Sequence, residues 1–245
     1  ILNEITDVND HSPNFSEKEQ QFKIAEHTSL GTRFELHAAR DPDAGINSIR
    51  TYTLTSNDHF EIEISQSDDD KIPFLVLKKS LDREQKNTLE LMVTAVDGGK
   101  PQRSGKLNVS IIVLDINDNR PIFSQDTYQI EIYENLPVGT TVTRVNAIDP
   151  DEGTNGEVEY SLRRNENDVT SFLNMNSDNG HISALKGFDF ETLKTFHFQV
   201  VASDSGTPSL SSNVTVNVFI LDENDNAPVI LYPVSSNVFF FVSRS

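Results

Sequence analysis

One short acidic string recurs three times along the chain at the spacing of a whole domain. Residues 7–13 read DVNDHSP, residues 115–121 read DINDNRP and residues 222–228 read DENDNAP. From Asp7 to Asp115 is 108 positions, and from Asp115 to Asp222 is 107. Other landmarks keep the same offset. DPDAG from Asp41 answers DPDEG from Asp149, and LDRE (Asp82, Glu84) answers FDFE (Asp189, Glu191). AVDGG (Asp97) answers ASDSG (Asp204), and AEH around Glu26 answers YEN around Glu134. A period this long, with many landmarks in register, describes tandem domains and not a short-repeat solenoid. The expected division is residues 1–13 as the end of a preceding repeat and its linker, 14–119 and 120–226 as two repeats, and 227–245 as a linker stub entering a further repeat.

Each repeat reads as all-β. Leu89, Leu91, Val93 and Ala95 alternate with polar positions, and one period later Phe196, Phe198, Val200 and Ala202 do the same. Leu107, Val109, Ile111 and Val113 form a second alternating run, echoed by Val214, Val216, Val218 and Ile220. Period-two alternation rich in β-branched residues is the signal of a half-buried strand. Further strands are expected at 21–25, 33–38, 49–54, 59–64 and 74–77, with the acidic run at 68–70 as a solvated loop. About seven strands in about 100 residues is the size of an Ig-like sandwich. The fold class is therefore two tandem seven-strand Greek-key β-sandwiches, expected to form an elongated rod.

Charge sharpens this reading. The net charge is −18, from 20 Lys and Arg against 38 Asp and Glu. Such an excess disfavours nucleic acid, because phosphate binding needs cationic patches. Position then matters more than the total. Each acidic string follows the last strand of a repeat and precedes a proline that starts the next, where a linker belongs. Oxygen donors gathered in a linker suit Ca²⁺, which takes six to eight oxygens in flexible geometry. Zinc is disfavoured as the linker ion, since the chain has no Cys and its His are scattered. An EF-hand is the rival, because Asp115, Asn117 and Asn119 fit its first, third and fifth positions. It fails where Arg120 stands for the required Gly and Asp126 for the terminal Glu.

No GxSxG, HExxH or phosphate-cradling Gly loop is present, so the chain is not expected to be an enzyme. No run of 18 apolar residues spans a membrane. The lack of Cys would, taken alone, favour the cytosol. The sequence begins in mid-pattern, which suggests a piece of something longer.

The motifs quoted above, together with GTRFEL, LVLKKSLDRE and IDPDEGTNGEVEYS, resemble the cadherin family from Ile1 to about Pro233, most of all the clustered protocadherins. The first unit resembles a second extracellular repeat, and the second unit a third or a fifth. The resemblance implies three Ca²⁺ in each complete linker. In the middle linker it implies Glu26, Asp82, Glu84 and Asp118 around the first ion. Glu26, Glu84, Asp115, the Ile116 carbonyl, Asp118 and Asp151 would hold the second. Asn117, the Asn119 carbonyl, Asp149, Asp151, the Asn155 carbonyl and Asp204 would hold the third. At the start, Asp7, Asn9, Asp10 and His11 with Asp41, Asp43, Asn47 and Asp97 form the corresponding half-site. His11 replaces the usual Asn, and the family uses only the carbonyl there. At the end, Glu134, Asp189, Glu191, Asp222, Glu223 and Asp225 await a following domain. The closing FFFVSRS fits no family pattern.

The resemblance also implies calcium-dependent adhesion at a cell surface. The expected partner is the same protein on an apposed cell, in an antiparallel arrangement. The chain would be an extracellular portion of a single-pass plasma membrane protein. A passive calcium-stiffened spacer is the alternative. Three sequons, at Asn14, Asn108 and Asn213, are candidate glycosylation sites.

Overall fold

In a computed structural model, residues 6–67, 70–163 and 169–229 are described. The chain forms two compact units. Of the described residues, one holds those up to Ile122 together with Ile148–Val158 and Ser203–Ser211, and the other holds those of Phe123–Ala147, Glu159–Ala202 and from Ser212 on. Two loops that belong by repeat to the second domain thus pack with the first.

The first repeat contains β1 (Glu19–Ala25), β2 (Arg33–Glu35), β3 (Ile49–Leu54), β4 (Phe60–Ser67), β5 (Asp70–Leu77), β6 (Thr88–Asp97) and β7 (Ser104–Leu114). They form two sheets, ordered β1-β7-β6-β3 and β2-β5-β4. The second repeat contains β8 (Ile122–Phe123), β9 (Thr127–Tyr133), β10 (Thr141–Arg144), β11 (Ala147–Ile148), β12 (Val158–Arg163), β13 (Leu173–Met175), β14 (His181–Ala184), β15 (Thr195–Asp204) and β16 (Ser211–Leu221). Its main sheets run β12-β15-β16-β9 and β10-β14-β13. In both repeats the long first strand pairs in parallel with the last, Phe22 opposite Ile111 and Ile130 opposite Val218. Among the described residues the only helices are single 3-10 turns.

The alternating runs face the cores as their period requires. Val93, Ala95, Leu107, Val109 and Ile111 are fully buried, and so are Val200, Ala202, Val216 and Val218. Each such Val, Leu or Ile side chain contributes roughly 1.5–3 kcal/mol on leaving water. These two alternating strands form the centre of each larger sheet and end at the acidic linkers.

Five strand boundaries differ from expectation: β1 begins at Glu19, β4 runs on to Ser67, β5 begins at Asp70, and two others differ for a local reason. The strand at 33–38 stops at Glu35 because Leu36 faces Pro73, which accepts from Leu36 N (2.9 Å) but has no N–H to return, and the following donors turn to side chains. Gln20 Oε1 accepts from His37 N (2.9 Å) and the Tyr52 hydroxyl accepts from Ala39 N (3.1 Å). The strand at 59–64 begins at Phe60, since Asn57 Oδ1 accepts from both His59 N and Phe60 N in a side-chain turn. Asp70 is not in a loop: it opens β5, paired with Ser67 across a hairpin. Residues 68 and 69 lie outside the described residues, as does the closing FFFVSRS.

The core sets one expected outcome. Leu107 has no exposure. Leu107→Ala should lower unfolding stability by about 2–5 kcal/mol, whereas Val138→Ala, at an exposed site, should cost under about 0.5 kcal/mol. Urea denaturation in a chelating buffer measures both.

Candidate functional site

Acidic side chains gather at three joints, and the same backbone devices build each one. A buried glutamate anchors the site. Glu26, 1% exposed, accepts from Ile116 N at Oε1 and from Arg83 N at Oε2, both at 2.9 Å. One period on, Glu134, 2% exposed, accepts from Glu223 N (2.7 Å) and Phe190 N (2.8 Å). Both oxygens of each anchor are thereby aimed, and further carboxylates converge on them. Carboxylate oxygens of Glu26, Asp82 and Glu84 lie within 4.8 Å of one another, as do those of Glu84, Asp115 and Asp151, and those of Glu134, Glu191 and Asp225.

The DPD loops supply the second half. Buried Tyr52 and Tyr160 bind the backbone just ahead of them, at Ala39 N (3.1 Å) and Ala147 N (2.8 Å). Within the loops Asp41 Oδ1 accepts from Asp43 N (3.2 Å), and Asp149 Oδ1 accepts from Asp151 N (3.0 Å). A single 3-10 turn follows, opened by Gly45 or Gly153 at φ +61°. That conformation suits glycine. The turns deliver Asn47 and Asn155, whose Nδ2 groups bond Asp7 Oδ2 (2.9 Å) and Asp115 Oδ2 (2.8 Å).

The strongest indication of a bound cation is a set of buried oxygens with no hydrogen-bond partner in the protein. They are Asn9 Oδ1, Asp41 Oδ2 and Asp97 Oδ2 at the first joint, and Asn117 Oδ1 and Asp149 Oδ2 at the middle one. Asn9 and Asn117, and Asp41 and Asp149, are matching positions 108 residues apart, whereas Asp204, the counterpart of Asp97, accepts from Leu210 N on both oxygens. An unsatisfied buried acceptor costs about 1–3 kcal/mol, more when charged, so a recurring set calls for a partner. The asparagine oxygens are turned inward because their Nδ2 atoms donate to carbonyls, Asn9 to Pro101 O and Asn117 to Pro208 O, both at 2.7 Å. Asp97 and Asp204 are themselves aimed by loop backbone, through Arg103 N (2.9 Å) and Leu210 N (3.0 Å). The donor set is all oxygen, which fits Ca²⁺.

Electrostatics point the same way. Burial pushes the carboxyl pKa of Asp41 up, with the charges of Asp43 and Asp97 adding to it. Burial likewise pushes Asp149 up, aided by Asp151, Asp204 and Asp115, and pushes Glu84 up, aided by Glu26 and Asp118. Carboxylates held this close to one another favour a cation in their midst. Arg83 supplies part of that charge. Its Nε bonds Asp115 Oδ1 (2.5 Å), and its Nη2 bonds Glu84 Oε1 (2.5 Å) and Pro150 O (2.6 Å). His27 Nε2 lies 2.8 Å from Asp118 Oδ2.

Of the sequence-predicted positions, Glu26, Asp82, Glu84, Asp115, Asp151, Glu134, Glu191 and Asp225 fall within these three acidic groups. Asp10, His11 and Asp43 form a further triad, with His11 Nδ1 at 2.8 Å from Asp10 and 2.7 Å from Asp43. Its hydrogen bond to Asp43, and then the charge of Asp10, raise the His11 pKa. Asn119 bonds Asp151 through its backbone N (3.2 Å) and Nδ2 (2.7 Å). Asp189 Oδ1 accepts from Glu191 N (3.1 Å). Asp222 is exposed and outside the close acidic groups. Sequence reasoning passed over Arg83, His27 and Asn226, whose Nδ2 bonds Glu191 and Asp225 (2.8 and 2.7 Å). It also passed over Gly99 and Gly206. A Cβ at Gly99 would meet Asn9 Nδ2, and one at Gly206 would meet Asn117 Nδ2 at 2.2 Å. The repeated DGG and DSG strings held that signal. Asn14, Asn108 and Asn213 are all exposed.

A family profile described as Cadherin domain matches residues 20–114 and 128–221. Human (Homo sapiens) protocadherin gamma-A3 is 45% identical over 228 residues, which cover 93% of this chain and 24% of the relative. Human protocadherin gamma-A5 is 43% identical over 237 residues, 96% of this chain and 25% of the relative. The chain thus spans about a quarter of the length of these curated relatives. The crystal structure of protocadherin gamma C5 EC1-3 superposes with a TM-score of 0.83 at 39% identity, covering 88% of this chain and 70% of that one. A protocadherin gammaB7 EC3-6 cis-dimer structure gives 0.84 at 37% identity, covering 96% and 55%.

The glycine contact yields a direct test of the donor geometry. Gly206→Ala should displace Asn117 and weaken calcium binding, read by titration calorimetry. Gly187→Ala, where nothing lies within 4 Å, should leave the binding unchanged.

Proposed function

Because this chain belongs to the cadherin family, we propose that it works in calcium-dependent, homophilic cell–cell adhesion. Cadherin domains bind calcium, and the family is one of adhesion receptors. On this reading residues 14–119 and 120–226 are two extracellular repeats of a single-pass plasma membrane protein, and each complete linker holds three Ca²⁺. The middle set is Glu26, Asp82, Glu84 and Asp118 for the first ion. The second is held by Glu26, Glu84, Asp115, Ile116 O, Asp118 and Asp151. The third is held by Asn117, Asn119 O, Asp149, Asp151, Asn155 O and Asp204. The half-sites at either end act in the same way once completed by neighbouring repeats. Asn14, Asn108 and Asn213 carry glycans.

The observation that carries this reading is the matched set of buried, unpartnered oxygens at the first and middle joints. Calcium would give each of them a partner and would offset the repulsion among the surrounding carboxylates. Its mechanical effect is to fix the loops at 148–158 and 203–211 against the strand ends of the first repeat. A partner that touches both repeats then binds without the cost of ordering the joint. Calcium acts before recognition and need not touch the partner. Antiparallel copies pair through exposed strand faces, where mismatched charges reject related chains.

Two outcomes follow. Asp118→Ala removes a ligand shared by two ions and should weaken calcium binding by about tenfold or more, while Asp58→Ala, at an exposed site outside the acidic joints, should not. Calorimetry of the two variants decides, and equal affinities would contradict the ligand assignment. Sedimentation should also show concentration-dependent self-association in calcium that disappears in chelator. A monomer in both conditions would favour a passive spacer, and equal association in both would separate the metal from recognition.

A further inference from the structure

The first joint differs from the other two in one donor. His11 stands where the later linkers carry Asn119 and Asn226. The backbone frame is otherwise the same. Asn119 gives its backbone N–H to Asp151 Oδ2 and its Nδ2 to Asp151 Oδ1, at 3.2 and 2.7 Å. His11 repeats both contacts on Asp43, with N to Oδ2 at 3.0 Å and Nδ1 to Oδ1 at 2.7 Å. The side-chain chemistry is what changes. An amide nitrogen has no lone pair to give a metal, whereas neutral imidazole does.

His11 Nδ1 also lies 2.8 Å from Asp10 Oδ1. One nitrogen and two carboxylate oxygens thus converge, all within 4.8 Å of one another. We propose that Asp10, His11 and Asp43 form a site for a borderline d-block cation of the Zn²⁺ class, in competition with calcium. One imidazole and two carboxylates are a donor set zinc accepts, with water completing a tetrahedron. Tetrahedral bonds of about 2.0–2.2 Å place donors about 3.3–3.6 Å apart, so the present hydrogen-bond spacings need to open by about 0.5–0.9 Å. The site permits this. The His11 and Asp10 side chains are 53% and 69% exposed, so they can move and admit an ion, while Asp43 is 2% exposed and fixed.

A second observation supports a cation here. Asp97 is fully buried, and its Oδ2 and that of Asp41 have no hydrogen-bond partner. The charges of Asp43, Asp97 and His11 all act on Asp41, which places these groups in one electrostatic neighbourhood. That neighbourhood holds more negative charge than one imidazolium offsets. All three zinc donors come from this chain, so no preceding repeat is needed. The competition with calcium rests on the functional reading above, because it requires calcium to use Asp10 and Asp43. The zinc site does not.

The test uses the whole untagged chain in metal-free buffer, titrated with zinc chloride by calorimetry, with imidazole ¹⁵N shifts read by NMR. The His11→Asn variant restores the residue that the middle joint carries, so it keeps the fold. Zinc should bind the native chain at least about tenfold more tightly than this variant, and should shift the His11 ring nitrogens. Saturating calcium should raise the apparent zinc Kd. Equal zinc affinity in both chains would overturn the site, and so would shifts confined to His27, His37, His59, His181 or His197. Zinc binding through His11 that calcium leaves unchanged would overturn the competition alone. A chain that binds zinc through His11 but no calcium would overturn the calcium reading and leave the zinc site standing.

Discussion

Carboxylates held close together without enough positive charge are the constraint on which the rest of the molecule turns. Two folded repeats could be joined by any polar linker. Here the joints instead carry Glu26, Asp115, Asp149, Asp151 and Asp204, of which Glu26, Asp151 and Asp204 are buried. Repulsion among such groups grows as water is excluded. Arg83 offsets part of it at the middle joint, and the oxygens of Asp149 and Asn117 are left without partners. A multivalent, oxygen-seeking cation resolves this arrangement, and a purely protein-based solution would have paired those atoms.

The sandwiches serve that arrangement by holding its donors still. The larger sheet of each repeat ends in strands that deliver Asp97 and Asp204 at the same register. The buried tyrosines fix the approach to each DPD loop, and a left-handed glycine turns the chain so that Asn47 and Asn155 reach back to the linker. The glutamate anchors are oriented by backbone N–H groups on both oxygens. Donor geometry therefore comes from the backbone, which is rigid where it is paired in sheets. Long side chains play a smaller part.

The repeat, the strand periodicity and the acidic strings were legible in the sequence because each is a matter of spacing. Leu89 to Ala95 and Phe196 to Ala202 alternate as their burial does. The strand at 33–35 ended early for a reason spacing does not carry, since its pairing partner beyond Glu35 is Pro73, which has no N–H to give. Arg83 was hidden for a similar reason. A lone arginine between Asp82 and Glu84 reads as surface charge, and only the approach of Asp115 and Pro150 makes it part of the joint. Gly99 and Gly206 looked like turn residues, whereas their role is to leave room for an asparagine about 90 positions earlier in the chain. The linker pattern did mark His11 as a departure, but its contacts with Asp10 and Asp43 needed the fold.

Calcium is the proposed partner of the orphaned oxygens. A crystal structure of this chain grown in calcium tests it most directly. An ion should lie about 2.3–2.6 Å from Asn117 Oδ1 and Asp149 Oδ2 at the middle joint. A second ion should lie at the same range from Asn9 Oδ1, Asp41 Oδ2 and Asp97 Oδ2 at the first. Water molecules or protein donors on those atoms, with calcium bound elsewhere or nowhere, would contradict it.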